Sequence, residues 1–276
     1  MLKNSFKMYE GEGLAEIYKV IYNDVINADI IAPRGLKTKE IICPQILIKN
    51  PRNRLAYHKD RKFSLKYALV ESLLLIGKTN ELKYFEKFNK NMINFSDDGK
   101  ILYGSYGYRI ADFILQIINK ITKDESSRQI VIPILKIEDV IKDVKDIPCT
   151  INMQIIIRDN KLNMITNMRS NDIIWGLPYD VFMFTILQEV IANTLGYELG
   201  WYLHRPVSLH LYENFFELFE NVAKDFEEVI YKNENNIFDW LKIKEDYKLF
   251  VDGESNGNLF NKTYETIYKI YSKVSD

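Results

Sequence analysis

Residues 151–168, INMQIIIRDNKLNMITNM, constrain the fold more than any other segment. Two apolar runs of strand length flank Arg158-Asp159-Asn160-Lys161, the pattern of a β-hairpin. Helical signals surround it. In residues 9–27, Leu14, Ile17, Tyr18, Ile21 and Val25 recur at helical spacing and predict one buried face. Residues 63–76 predict a buried helix closed by Gly77, with Thr79 capping the next one. Glu71 lies inside that apolar run, where a carboxylate is costly unless it is hydrogen-bonded or functional.

Residues 39–48 and 129–135 predict strands, while 110–122, 181–196 and 212–232 predict helices, the last amphipathic. No repeat, low-complexity segment or linker divides the chain. The expectation is a single α+β domain over residues 1–276, with a helical C-terminal stretch at 213–276.

Acidic and basic residues nearly cancel, 38 against 37, so no overall field gathers a nucleic-acid polymer or an acidic membrane. The two cysteines, Cys43 and Cys149, are far apart and no Cys/His spacing suits a metal. The first residues lack the apolar core of a signal peptide, and no apolar run is long enough to cross a bilayer. These features predict a cytoplasmic location, where a free thiol stays reduced.

A lone cysteine is most often an inert core thiol. Cys149 differs in its setting. Pro148-Cys149-Thr150 opens a predicted strand, and NMRSNDIIWGLPYD follows at 167–180, with Arg169, Ser170, Asn171 and Asp172 ahead of Gly176 and Pro178. SLHLY follows at 208–212. This series resembles the thymidylate synthases and the related pyrimidine hydroxymethylases. Arg169, Asp180 and His210 lie 20, 31 and 61 residues after Cys149, as the family's equivalent positions do. Weaker similarity in residues 63–71, 106–110 and 126–132 extends the resemblance over most of 10–220.

The resemblance implies a thymidylate synthase-like fold, a mixed twisted β-sheet flanked by helices, and a homodimer formed through the sheets. It implies a pyrimidine nucleoside monophosphate as substrate and 5,10-methylenetetrahydrofolate as co-substrate, with no metal. Carbon 5 of a pyrimidine is a poor nucleophile. Addition of the Cys149 thiolate at carbon 6 makes it enolate-like and able to attack a one-carbon electrophile. Arg169 is expected to lower the thiol's pKa.

By resemblance, Glu71 moves protons on the ring through water and Tyr106 is an active-site tyrosine. Arg169 and Ser170 hold the phosphate, with Arg34 as a further candidate and Arg128 supplied by the partner subunit. A second arginine usual beside that last position is Gln129 here. His210 and Tyr212, two apart on a strand, face one side and contact the sugar. Asp172 orders the folate ring. His58 and His204 remain unassigned.

Asp180 stands where the synthases carry asparagine. An ionised carboxylate accepts from the 4-amino group of cytosine and repels O4 of uracil. Aspartate at this position is also the pattern of the phage deoxycytidylate hydroxymethylases. Thr150, where synthases often have histidine, and the polar terminal YKIYSKVSD favour water addition over reduction. The sequence therefore predicts 5-hydroxymethylation of CMP or dCMP. The alternatives are a thymidylate synthase or hydroxymethylase acting on dUMP, and a non-catalytic nucleotide-binding protein of the same fold.

Overall fold

The computed structural model describes residues 5–229 and Tyr247. The chain opens with β1 (Met8–Gly11) and α1 (Leu14–Ile26), then β2 (Ile30–Ile31), β3 (Thr38–Ile42), β4 (Gln45–Ile48) and β5 (Ala56–Tyr57). Helices α2 (Leu65–Ile76), α3 (Leu82–Glu86) and α4 (Tyr106–Lys123) follow, then β6 (Val131–Pro133) and α5 (Ile137–Ile141). Strands β7 (Thr150–Arg158), β8 (Lys161–Met168) and β9 (Asn171–Asp172) lead into α6 (Gly176–Leu195). The described part closes with β10 (Glu198–Pro206), β11 (Ser208–Tyr212), α7 (Phe216–Val222) and β12 (Glu227–Glu228).

The predicted hairpin is β7–β8, antiparallel from Arg158↔Lys161 back to Thr150↔Met168. Asp159 and Asn160 both take left-handed backbone, at φ 52° and 60°, as a two-residue turn matched to strand twist requires. The hairpin anchors a mixed six-stranded sheet in the order β1-β4-β10-β8-β7-β6. Strands β8 and β10 are parallel, so the chain must cross over between them, and α6 is that crossover.

Met153, Ile155, Met164 and Tyr202 point from the inner face of the sheet into one core with α1, α2 and α6. Helix α6 is apolar on nearly all sides because it is enclosed on nearly all sides. Its acid Glu189, fully buried, accepts from Arg52 Nε at 2.8 Å and pairs with the fully buried Arg54. Removing one partner of such a pair costs about 3–5 kcal/mol, since the other charge stays buried alone.

Several boundaries differ from the sequence expectation. The helix expected over 9–27 begins only at Leu14, because β1 claims residues 8–11 for the sheet edge; its predicted face is buried as expected. Thr79 caps no helix: it accepts from the Glu81 N–H in the turn before α3. Helix α4 starts at Tyr106 rather than 110, and the strand expected over 129–135 narrows to β6. The helix expected over 212–232 ends at Val222. The chain then turns so that Phe226 packs on Tyr18, with ring centroids 4.4 Å apart, and β12 pairs with β5. The rest of the predicted helical stretch, to residue 276, lies outside the described residues apart from Tyr247.

The single strand expected over 39–48 is two strands in two sheets. Cys43 takes left-handed backbone (φ 51°) and Pro44 follows, so β4 stays in the six-stranded sheet while β3 joins a second one, β2-β3-β11-β9. The neighbouring strands break at the same level, at Val207 between β10 and β11 and at Arg169–Ser170 between β8 and β9. Backbone bonds stitch the breaks together, Cys43 N–H to Val207 O and Val207 N–H to Met168 O, each 2.8 Å.

Candidate active site

Cys149 immediately precedes β7, half-buried, on the rim of a cleft of about 650 Å³ counted to its open mouth. Glu71 from α2, Tyr106 from α4 and Asp180 from α6 line the same cleft. Three of the side chains expected to act on the ring thus converge on the thiol, although 109 residues separate Glu71 from Asp180.

Arg169 lies directly across the ladder, its N–H donating to Cys149 O at 2.8 Å. Its guanidinium grips the approach to the cysteine, donating from Nε to Pro148 O at 3.0 Å and from Nη2 to Ile147 O at 2.9 Å. The expected depression of the thiol pKa is not the net result. Burial pushes the Cys149 thiol up, Arg169 opposes, and the nearby Asp180 and Asp146 carboxyls add to the rise.

The Tyr106 hydroxyl accepts the Thr150 N–H at 3.3 Å, and its ring stacks on Phe184 with centroids 6.0 Å apart. Burial holds this phenol neutral. Glu71 accepts from the Tyr67 hydroxyl at 3.1 Å, and burial lifts its carboxyl to about 7, as an acid inside an apolar helix should behave.

Asp180 is the terminus of a buried chain of hydrogen bonds. Asn171 Nδ2 donates to Asp180 Oδ2 at 2.6 Å, Asn171 Oδ1 meets His204 Nε2 at 2.9 Å, and His204 Nδ1 meets the Tyr202 hydroxyl at 2.9 Å. Because the asparagine nitrogen faces Asp180, its oxygen must accept from His204. That assigns the imidazole proton to Nε2 and makes Nδ1 the acceptor from Tyr202. Burial drops His204 to about 3, so it stays neutral. Burial, with Glu71 nearby, pushes Asp180 well above the ordinary carboxylate range. That shift favours the protonated form, against the ionised carboxylate expected from the sequence.

A second group stands on the other sheet. His210 and Tyr212 share one face of β11 with ring centroids 4.9 Å apart, and His210 lies beside Asp172 in register. Asp172 Oδ1 accepts the N–H groups of Ile174 and Trp175 at 2.7 and 2.6 Å, which fixes the turn into α6. These residues are not part of the cleft wall, but Tyr212 senses the charges of Asp172, Arg34, Cys149 and Arg169. Arg34 is exposed on a left-handed turn (φ 53°), and its charge reaches both Cys149 and His210. Ser170 is half-buried between Arg169 and β9.

Arg128 is not brought to the site of its own chain. It is exposed at the sheet edge, where its carbonyl accepts from Gln154. Sequence reasoning missed Tyr67, Asp146, and the link from Asn171 to His204. The alternation of ELGWYLHRP, which turns Tyr202 and His204 to one face, was the available signal.

The chain belongs to the thymidylate synthase family, whose model, described as thymidylate synthase, matches residues 17–248. Among curated relatives, the deoxyuridylate hydroxymethyltransferase of Bacillus phage SP01 is 31% identical over 223 residues, covering 74% of this chain and 58% of the relative. That of Pseudomonas phage M6 is 31% identical over 173 residues, covering 59% and 49%. The thymidylate synthase of Bacillus licheniformis is 40% identical over 65 residues, covering 24% and 23%. The chain thus spans about half the length of the phage relatives it matches. Among the described residues, no helix is long and apolar enough to cross a membrane, and no group of three His, Cys, Asp or Glu suits a metal ion.

Proposed function

We propose that this chain catalyses folate-dependent 5-hydroxymethylation of a pyrimidine nucleoside monophosphate, with Cys149 as nucleophile. The carrying observation is that one cleft holds a thiol, a carboxyl raised to about 7 and a second acid, Asp180. Thiolate addition to carbon 6 activates carbon 5, and Glu71 supplies the proton the ring needs as the C–S bond forms. The hydrophobic wall of Leu74, Phe85, Met92, Leu102 and Met183 suits a flat aromatic co-substrate. Methylenetetrahydrofolate fits that description and supplies the one-carbon unit.

Arg169 and Ser170, at the break between β8 and β9, are suited to the phosphate, with Arg34 at the mouth. His210 and Tyr212 take the sugar, Tyr106 supports the strand start beside the nucleophile, and Asp172 orders the folate side. The outer face of the six-stranded sheet carries half-buried Leu47, Ile165, Trp201 and Leu203, an apolar strip suited to a second copy. Arg128 beside that face would complete the partner's phosphate site. Sedimentation should give twice the 32.6 kDa chain mass; a monomer that retains full phosphate affinity would remove Arg128 from the site.

For the base we favour uracil. A neutral Asp180 offers one donor and one acceptor, as an asparagine amide does: its O–H donates to O4 and its other oxygen accepts from N3–H. The names of the phage relatives point the same way. Cytosine is the second reading, favoured by the aspartate itself, because ionisation as the adduct forms would suit a protonated N3. Release of the C5 hydrogen from dUMP, dCMP and CMP separates them. On the uracil reading dUMP is preferred, and Asp180→Asn keeps its turnover within about tenfold. Wild-type preference for dCMP or CMP, switched to dUMP by Asp180→Asn, would establish cytosine instead.

A further inference from the structure

One half-buried carboxylate in the cleft has no part in the chemistry assigned so far. Asp146 lies three residues before Cys149, in the segment between α5 and β7, and lines the same cleft as Cys149, Glu71 and Asp180. Its Oδ2 accepts the Gly104 N–H at 2.8 Å. Among the described residues it has no salt-bridge partner, and Oδ1 accepts no hydrogen bond. The fit is tight: a Cβ on Gly104 would stand 2.6 Å from Asp146 O and 2.9 Å from Oδ1, so only glycine allows this approach. Asp146 is thus held in place by one oxygen while the other remains available within an otherwise largely apolar cleft.

Resting on the proposed hydroxymethylation, we propose that Asp146 is the general base for its last step, the addition of water to the exocyclic methylene on carbon 5. That intermediate forms when tetrahydrofolate leaves the C5-linked carbon, and carbon 6 is then still bonded to Cys149 Sγ. The water oxygen bonds to the methylene carbon, and the proton it loses passes to Asp146 Oδ1. The methylene electron pair moves toward the position-4 substituent of the ring. Its return restores the C5–C6 double bond and breaks the C6–S bond, releasing Cys149. Nothing is oxidised or reduced, and the one co-reactant is water. Burial and the neighbouring Asp97 raise the Asp146 carboxyl above its ordinary range, which strengthens it as a proton acceptor once ionised.

A merely structural Asp146 would pin the Gly104 loop and nothing more. Asp146→Asn separates the two roles, because its amide oxygen still accepts the Gly104 N–H while its basicity is lost. The assay follows two products in a single turnover, with enzyme in excess of dUMP or dCMP, since an enzyme stalled on the methylene adduct cannot turn over again: release of the C5 hydrogen, which precedes water addition, and formation of the 5-hydroxymethyl nucleotide. The variant should keep C5-hydrogen release within a few-fold and lose hydroxymethyl product about 10²-fold or more. Added 2-mercaptoethanol should then intercept the stalled methylene as a 5-thioether. An unchanged product-to-release ratio overturns the role of Asp146, as does an equal fall in both. A wild-type protein that releases no C5 hydrogen from either nucleotide overturns this proposal together with the reading beneath it, and so marks that failure as different.

Discussion

Replacing Cys149 with serine should abolish C5-hydrogen release, with a loss on the order of 10⁴-fold or more, as expected when the proposed nucleophile is removed. A serine hydroxyl has nearly the same shape but is a far weaker acid than a thiol, and so a far weaker nucleophile near neutral pH. Burial raises the thiol in the free protein, and Arg169 opposes that rise. Expulsion of water strengthens the attraction of the fixed Arg169 cation for the thiolate. The direct measurement is denaturing mass spectrometry after incubation with a 5-fluoropyrimidine nucleotide and methylenetetrahydrofolate. The wild-type chain should gain a covalent mass that Cys149→Ser does not. Intact nucleotide binding by the wild type with no adduct would instead identify a binding protein on this fold.

Glu71→Gln should lower turnover by about 10²–10⁴-fold and remove a limb from the pH profile. Burial holds Glu71 at about 7 instead of its ordinary 4.5, so near neutrality it still carries a proton to deliver to the ring. As pH rises through about 7 that proton is lost, and the rate in the wild type should fall with it. In Glu71→Gln this descending limb should be absent. Stability also falls as pH rises for a group with a raised folded pKa. Burying the charge costs the fold nothing well below pH 4.5, and the cost grows between about 4.5 and 7 and persists above. Urea unfolding at pH 8 should therefore find Glu71→Gln at least as stable as the parent, separating lost catalysis from lost structure. A destabilised variant with an unaltered pH profile would return Glu71 to a packing role.

What the sequence made legible followed from periodicity and from chemistry that needs unusual residues. The hairpin was readable because two apolar runs bracket Asp159-Asn160, residues tolerant of left-handed backbone. The face of α1 was readable because Leu14, Ile17, Tyr18, Ile21 and Val25 have no other place to go. Glu71 stood out as an acid in an apolar run. The division of 39–48 between two sheets was not readable, since Cys43 is no residue to expect at φ 51° and strand pairing is set by distant partners. Asp146 was hidden in KDVKDIPC, which reads as solvated charge. Asp180 was found as a residue, but the upward push on its carboxyl was not readable, because it comes from burial and from Glu71, brought near only by the fold.

The aligned breaks at Cys43, Val207 and Arg169–Ser170 have a consequence for how such a protein can diversify. The strand that follows Cys149 and the strand carrying His210 and Tyr212 belong to separate ladders, joined by short seams. Side chains can therefore be exchanged on one ladder without resetting the register of the other. Relatives can acquire new sugar or base preferences on one side of the seam while the thiol keeps its address on the other.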